Sequence, residues 1–466
     1  MLGICCLSLF LVGMDSTIVN VGLPTIGRAL HVGTRDLEWT VDAYVLVVTS
    51  LLISSGALAD RIGRRRVFQL GLTIFGLASV ACALAPSIGV LVAARVVQGV
   101  GGSMLVPVAL AIVVNVITDP RQRALATGVW TATFGLSMAA GPVAGGALIS
   151  ALGWRSVFWI NAPVVAAALV LSVALVPESR AQQPRRLDGR GQVLLIAVVG
   201  IAVAVLIEGP HIGWTSTAAL AGYVCVVAAA VGFVRTETRR REPLMDLQLF
   251  RRPPFAGAVV AAVLVCIALH TTLLLNTLYL QHSRGMSPIA TGLATLPMAV
   301  ATIVCAPISG YLVGRRGARL PLSLAGCFTA AGGLCLLGLG THTDLLVLRL
   351  AYLLIGVGFG FANAPITTTA VSGLPPSQAG VAGAITSTAR NFGAALGIAL
   401  AGSIVAGSPP AELAAASHLG WLLVSCCGLL VLVLATSTAS SLDSIRCQWP
   451  RDATKVASPA RAAPPG

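Results

Sequence analysis

Apolar positions along the chain gather in long uninterrupted blocks, separated by short polar segments rich in arginine, glycine and proline. Fourteen blocks of helix length lie near 2–22, 39–58, 67–85, 88–115, 124–150, 156–176, 191–208, 217–235, 255–281, 289–313, 319–340, 345–369, 380–406 and 418–436. A helix crosses a hydrocarbon core of about 30 Å in about 20 residues. Strands of a membrane barrel would instead alternate over segments of about 10 residues. The pattern predicts an all-α polytopic membrane protein with fourteen spans. The first block has no positive flank and no small-residue cleavage site, so it reads as a retained span and not a signal peptide.

Composition strengthens this reading. Of 466 residues, 56% are hydrophobic and 10% charged, against about 25% charged in soluble domains. The formal charge is +14, yet Lys455 is the single lysine. A Walker A loop needs a lysine after its glycines, so no ATP-driven step is expected. The arginines cluster between apolar blocks, which argues for membrane topology over a nucleic-acid partner. The eleven cysteines form no CxxC pair and the six histidines form no HExxH, so neither a metal nor a cofactor is expected and the chain does not read as an enzyme.

Arginine placement sets an orientation. With the first helix starting in the cytoplasm, the cytoplasmic loops and tail hold twenty-three Lys and Arg, and the opposite side holds four, Arg28, Arg35, Arg155 and Arg284. Both termini are then cytoplasmic, in a plasma (inner) membrane. The segment Gly56–Arg65 at the end of the second block is echoed by Gly310–Gly317 at the end of the tenth, with Gly314 where Asp60 stands. Repeated halves are frequent in secondary transporters. The expected organisation is a six-helix half over 1–176, an inserted helix pair with its loops over 177–254, a second six-helix half over 255–436, and a disordered tail over 437–466.

Ionisable groups at membrane depth are costly and point to function. Asp15, Arg95 and Arg390 are the clear cases. Asp15 and Arg95 each lie seven residues from the arginine-poor end of their helices, about 10 Å deep, so an ion pair between them is expected. Burial disfavours a charged carboxylate and a neighbouring guanidinium favours it, which suits proton coupling. Ser16, Thr17 and Asn20 stand close enough in sequence to hydrogen-bond Asp15. Asp42 lies three residues inside Trp39, near the interface, where it is expected to be solvated. It joins Asp15 and Arg95 as a candidate for proton coupling. Glu208 reads as structural. Gln98, Asn276, Arg390 and Asn391 are the polar candidates for a substrate cavity.

Four motifs carry a resemblance: Met14–Pro24 in the first helix, Gly56–Arg65 after the second, Arg95–Gly102 in the fourth, and Gly135 with Gly141, Pro142, Gly145 and Gly146 in the fifth. Trp154–Asn161 and Leu206–Pro210 add to it. Together they resemble the major facilitator superfamily, and within it the fourteen-span drug:proton antiporters of the EmrB/QacA type. The resemblance implies two six-helix halves plus two inserted helices. It also implies export of small amphipathic organic compounds against protons by alternating access, the self-resistance role of antibiotic producers included. An uptake symporter of the same fold is the alternative. Gly56, Asp60, Arg61, Gly63 and Arg64 would form a gating loop, with Asp60 near the start of the thirteenth helix around Gly380. The glycines and proline of the fifth helix would be the antiporter motif. The run Gly356–Gly360 reads as helix packing. The implied partners are a small-molecule substrate, protons and the lipid bilayer, with no nucleic acid and no ATP.

Overall fold

The computed structural model describes residues 1–116, 120–180, 188–240, 247–340, 342–372, 376–409 and 412–437. The tail expected over 437–466 lies, but for its first residue, outside them. The helices are α1 Leu2–Leu30, α2 Thr34–Ile62, α3 Arg64–Leu84, α4 Ile88–Val116, α5 Pro120–Leu152, α6 Ser156–Trp159, α7 Asn161–Leu175, α8 Gly189–Ile212 and α9 Thr217–Arg239. After a 3-10 turn at Leu247–Arg251 come α10 Pro253–Leu278 and a π turn at Tyr279–Ser283. The chain continues through α11 Pro288–Ala294, α12 Leu296–Arg316, α13 Arg319–Cys335, α14 Leu345–Val371, α15 Pro376–Val405, α16 Leu413–Ala416 and α17 His418–Ser437.

Local chemistry sets many of these boundaries. Asp188, Ser216, Ser287 and Asp344 cap α8, α9, α11 and α14, each accepting a backbone N–H from the first turn, which satisfies a donor that the helix itself leaves unpaired. Between α2 and α3 the chain turns at Gly63 with φ 118°, and α12 stops at Gly317 with φ 79°. Both angles lie where L side chains are strained. The sequence echo between the two loops is therefore also an echo in backbone conformation. Among the described residues, eleven helical segments are long and apolar enough to cross a membrane, or twelve when bent α2 counts as one span. α13, at 17 residues, and α5, whose apolar stretch is Ala140–Leu152, fall outside that count.

The helices pack in two groups. In the first, α1 lies on α5, α2 and α3 on α4, and α3 on α7. In the second, α10 lies on α15 and α17, α12 on α14, and α13 on α14 and α17. Two seams join the groups, α2 against α15 and α5 against α11 and α12. Small residues make close approach possible. A methyl on Gly141 would overlap Thr17 of α1, and one on Gly145 would sit 2.7 Å from Ile18 Cγ1. A methyl on Gly146 would sit 2.5 Å from the Pro288 carbonyl oxygen. The fifth-helix motif thus serves two contacts, one inside the first group and one across the seam. Gly135 lies on a part of α5 whose side-chain surroundings are outside the described residues. Gly356 and Gly360 of α14 abut Met298 and Cys305 of α12, so that run packs helices together.

The pair α8 and α9 rides on the α2–α15 seam through α8. Gln192 bonds Ser54 and the Ser50 carbonyl, and Ser403 of α15 donates to the Leu206 carbonyl at 2.6 Å. At one end of α8, Glu208 accepts from Arg35 at 2.6–2.8 Å and from Trp39 at 3.2 Å. At the other, Asp188 pairs with Arg240 at 2.8 Å.

Candidate proton-coupling site

Five elements of the first group aim polar atoms at one point. Arg95, from α4, donates Nη1–H to Asp15 Oδ2 of α1 at 2.5 Å, and both side chains are fully buried. Arg95 also donates to Gln98 Oε1 at 2.7 Å, and through Nε to the Thr40 carbonyl of α2 at 3.0 Å. Gln98 and Asn161 donate to the other carboxylate oxygen, Asp15 Oδ1, at 3.0 and 3.1 Å. Ser79 of α3 accepts from both of these amides, at 2.9 and 3.3 Å. The Tyr44 ring lies 4.3 Å from the Arg95 guanidinium carbon and the Phe158 ring 5.9 Å, where aromatic faces attract a cation.

A charged pair in a dry interior is held by complete hydrogen bonding, because desolvating both ions costs several kcal/mol apiece. Here the carboxylate receives three donors. The guanidinium keeps one unsatisfied atom, Nη2, and Asn161 keeps an unsatisfied Oδ1. The network is therefore tight around the acid and open on the far side of the arginine. Both carboxylate oxygens thus have donors, drawn from α4 and α7.

The expected pairing of Asp15 with Arg95 is present. Its surroundings differ from expectation. Ser16, Thr17 and Asn20 do not reach Asp15. Ser16 Oγ donates to the Val12 carbonyl at 2.9 Å, Thr17 to those of Gly13 and Met14, and Asn20 to that of Ser16 at 3.2 Å. Helical hydroxyls and amides reach back to their own preceding turn, and the donors to the acid come instead from α4 and α7. Gln98, expected in a substrate cavity, is wholly buried within this network. Asn161 and Ser79 carry only a weak signal in the sequence, a small polar residue between apolar neighbours.

The other candidates are dispersed. Asp42 is not solvated as its place near Trp39 suggested. It is fully buried one turn beyond Glu38, and neither of its oxygens has a hydrogen-bond partner among the described residues. Asn276 is buried on α10 and accepts from Tyr352. Arg390 and Asn391 are half-buried on α15. A small apolar cleft does lie between the two groups, lined by Pro142, Leu269, Leu273, Met298 and Phe359 among others, and none of Gln98, Asn276, Arg390 or Asn391 is in its wall.

In the expected gating loop, Asp60 pairs with Arg64 at 2.9 Å across the end of α2. Glu178, beyond α7, accepts the Arg65 backbone N–H at 3.2 Å, and the Arg64 N–H donates to the Ser179 carbonyl at 2.9 Å. Arg66 lies 3.7 Å from Glu178 and Arg65 donates to the Val173 carbonyl at 2.8 Å. Arg61 is exposed and Gly56 half-buried. The loop is thus held to its own group through Glu178, which was not foreseen. The side-chain surroundings near Gly380, where a contact is expected, lie outside what the structure describes.

Comparison with known proteins agrees with this architecture. The Major Facilitator Superfamily profile matches residues 5–398. The chain is 41% identical over 403 residues to the multidrug resistance protein Stp of Mycobacterium tuberculosis, covering 86% of this chain and 74% of that protein. It is 36% identical to the tetracenomycin C resistance and export protein of Streptomyces glaucescens, covering 85% and 74%. It is 33% identical to the multidrug efflux pump LfrA of Mycolicibacterium smegmatis, covering 86% and 80%. A family profile spanning most of the chain, and relatives aligned along nearly as much of it, lead to one conclusion: the chain belongs to the Major Facilitator Superfamily.

Proposed function

We propose that this protein exports small amphipathic organic compounds across the plasma membrane in exchange for protons, by alternating access. The observation that carries the reading is the buried Asp15–Arg95 pair, since a titratable acid held in a dry polar network is what a proton-coupled carrier needs. The direction of transport rests on the relatives, whose names are those of resistance and efflux proteins. In this reading the bundle has fourteen spans, two six-helix halves over 1–176 and 255–436 with the inserted segment 177–254 between them. Both termini are cytoplasmic, so the end holding Arg28, Arg35, Arg155 and Arg284 is the outer one. The apolar cleft beside Pro142 is where an amphipathic compound binds, and Arg390 and Asn391 offer polar contacts from α15. Asp60 and the arginines around it form the cytoplasmic gate.

The test is a drug-susceptibility panel in an efflux-deficient host, with and without a protonophore. Raised resistance that the protonophore abolishes supports the reading. Unchanged susceptibility across the panel, with the protein present in the membrane, contradicts it.

A further inference from the structure

At the arginine-poor end of the bundle, α2 presents two faces. Arg35 and Trp39, one turn apart, turn to α8 and hold Glu208. Glu38 lies on the adjacent face, and a methyl on Gly402 of α15 would overlap its carboxylate. Glu38 is 3% exposed and its Oε2 has no hydrogen-bond partner. Asp42 follows one turn deeper, fully buried with both oxygens unpartnered. Residues four apart share a helix face, so two acids stand together along the seam between the halves.

Among the described residues no cation answers them. Arg35 is held by Glu208. Arg28 of α1 bonds the Pro24 carbonyl and Thr25. Arg95 of α4 is engaged by Asp15 and Gln98. On α15 the charged residue is Arg390, twelve positions from Gly402, about 18 Å along the helix. Among the described side chains, the remaining titratable neighbours are Asp36 on α2 itself, Glu208 on α8, and Tyr44 and Cys82, which face Arg95 and Gln98. Glu38 therefore meets a glycine backbone on one side and other carboxyls, Asp42 and the Arg35-paired Glu208, on two others. Such a seam accommodates a neutral carboxyl and repels a charged one.

We propose that Glu38 is a proton-binding site of the outer gate, which must be protonated before α15 can close over it at Gly402. This rests on the exporter reading above and deepens it. A carrier that has released its substrate outside takes a proton there, and only the neutral side chain lets the outer seam shut and the carrier return. Glycine at 402 leaves room for the carboxyl, and the Glu208 clamp keeps the start of α2 fixed on α8 while α15 moves.

Hydrogen–deuterium exchange of segments 34–45 and 395–405, in purified full-length protein and corrected for the intrinsic pH effect, reads the seam without any transport. In the wild type, protection at mildly alkaline pH should fall below that at mildly acidic pH, on the order of tenfold per pH unit between the open and closed titrations. E38Q should be protected at both pH values, and E38D should keep the response. G402A should leave the seam open at both, because the added methyl displaces the carboxyl. A wild-type seam indifferent to pH would overturn the proposal, as would an E38Q seam that responds like wild type. So would loss of the response in D42N alone. A chain that exchanges drug for protons but fails this test keeps the exporter reading and loses the outer-gate site.

Discussion

Asn161, the first residue of α7, donates to Asp15 Oδ1 at 3.1 Å, joining two residues 146 positions apart at the centre of the first half. It completes a set of three donors on one carboxylate, with Arg95 and Gln98 as the others. Asn161 therefore positions the acid without carrying charge.

N161A should weaken transport while leaving the protein folded. A lost hydrogen bond to a charged group costs about 1.5–3 kcal/mol, less than the ~3–5 kcal/mol of breaking a buried ion pair. Asp15 then loses one of its three donors, so the pH dependence of transport should change. A pH–rate profile in vesicles checks this. A lower rate with an unmoved optimum would make Asn161 a packing residue only.

The gating loop separates strain from charge. G63A forces a side chain into φ 118° and places its methyl 2.5 Å from Glu178 Oε1. Backbone strain of this kind costs about 1–3 kcal/mol, so the melting temperature in detergent should fall. D60N breaks only a partly exposed pair with Arg64, for which roughly 0.3–0.5 kcal/mol is usual. Its melting should stay near wild type while transport falls strongly. Wild-type transport by D60N would remove the gate role.

The helices and the membrane-depth acid were legible in the sequence because both are local signals. Long apolar blocks specify spanning helices, and counting residues from the helix ends put Asp15 and Arg95 at one depth. What surrounds them was not legible. Gln98 lies one turn from Arg95, and its sequence position suits a cavity residue equally well, because nothing in sequence says which way a buried amide turns. Asn161 joins Asp15 only once α7 packs beside α1, and Ser79 joins the network only once α3 packs on α4 and α7. Glu38 looks like an interfacial residue of a helix start. It is buried because α15 crosses α2 at Gly402, a contact between the two halves. Glu178 follows Pro177 in a loop, and its role depends on the chain returning to Gly63.

Glycines of α5 should divide by the seam they serve. G145V adds bulk against Ile18 inside the first half, and overpacking costs about 1–3 kcal/mol, so it should lower stability and transport together. G146V adds bulk against Pro288 of the other half. It should keep thermal stability and hold the arginine-poor end apart, with transport lost. Thermal melting beside vesicle uptake distinguishes the two. Equal melting losses would contradict the division.

Topology follows from arginine placement. Reporter fusions beside Arg64 and beside Arg240 should both give cytoplasmic signals. A periplasmic signal from either would reverse the outer and inner assignments made above.

The central claim is that Asp15 exchanges the coupled proton under the control of Arg95. D15N removes the titration at nearly constant shape: its amide oxygen can still accept from Gln98 and Asn161, while its amide nitrogen meets the Arg95 donor. The direct measurement is substrate-induced proton movement in proteoliposomes reconstituted with wild type and D15N. The account predicts proton movement with the wild type and none with D15N, while D15N still binds substrate. Proton movement by D15N at the wild-type rate would contradict it.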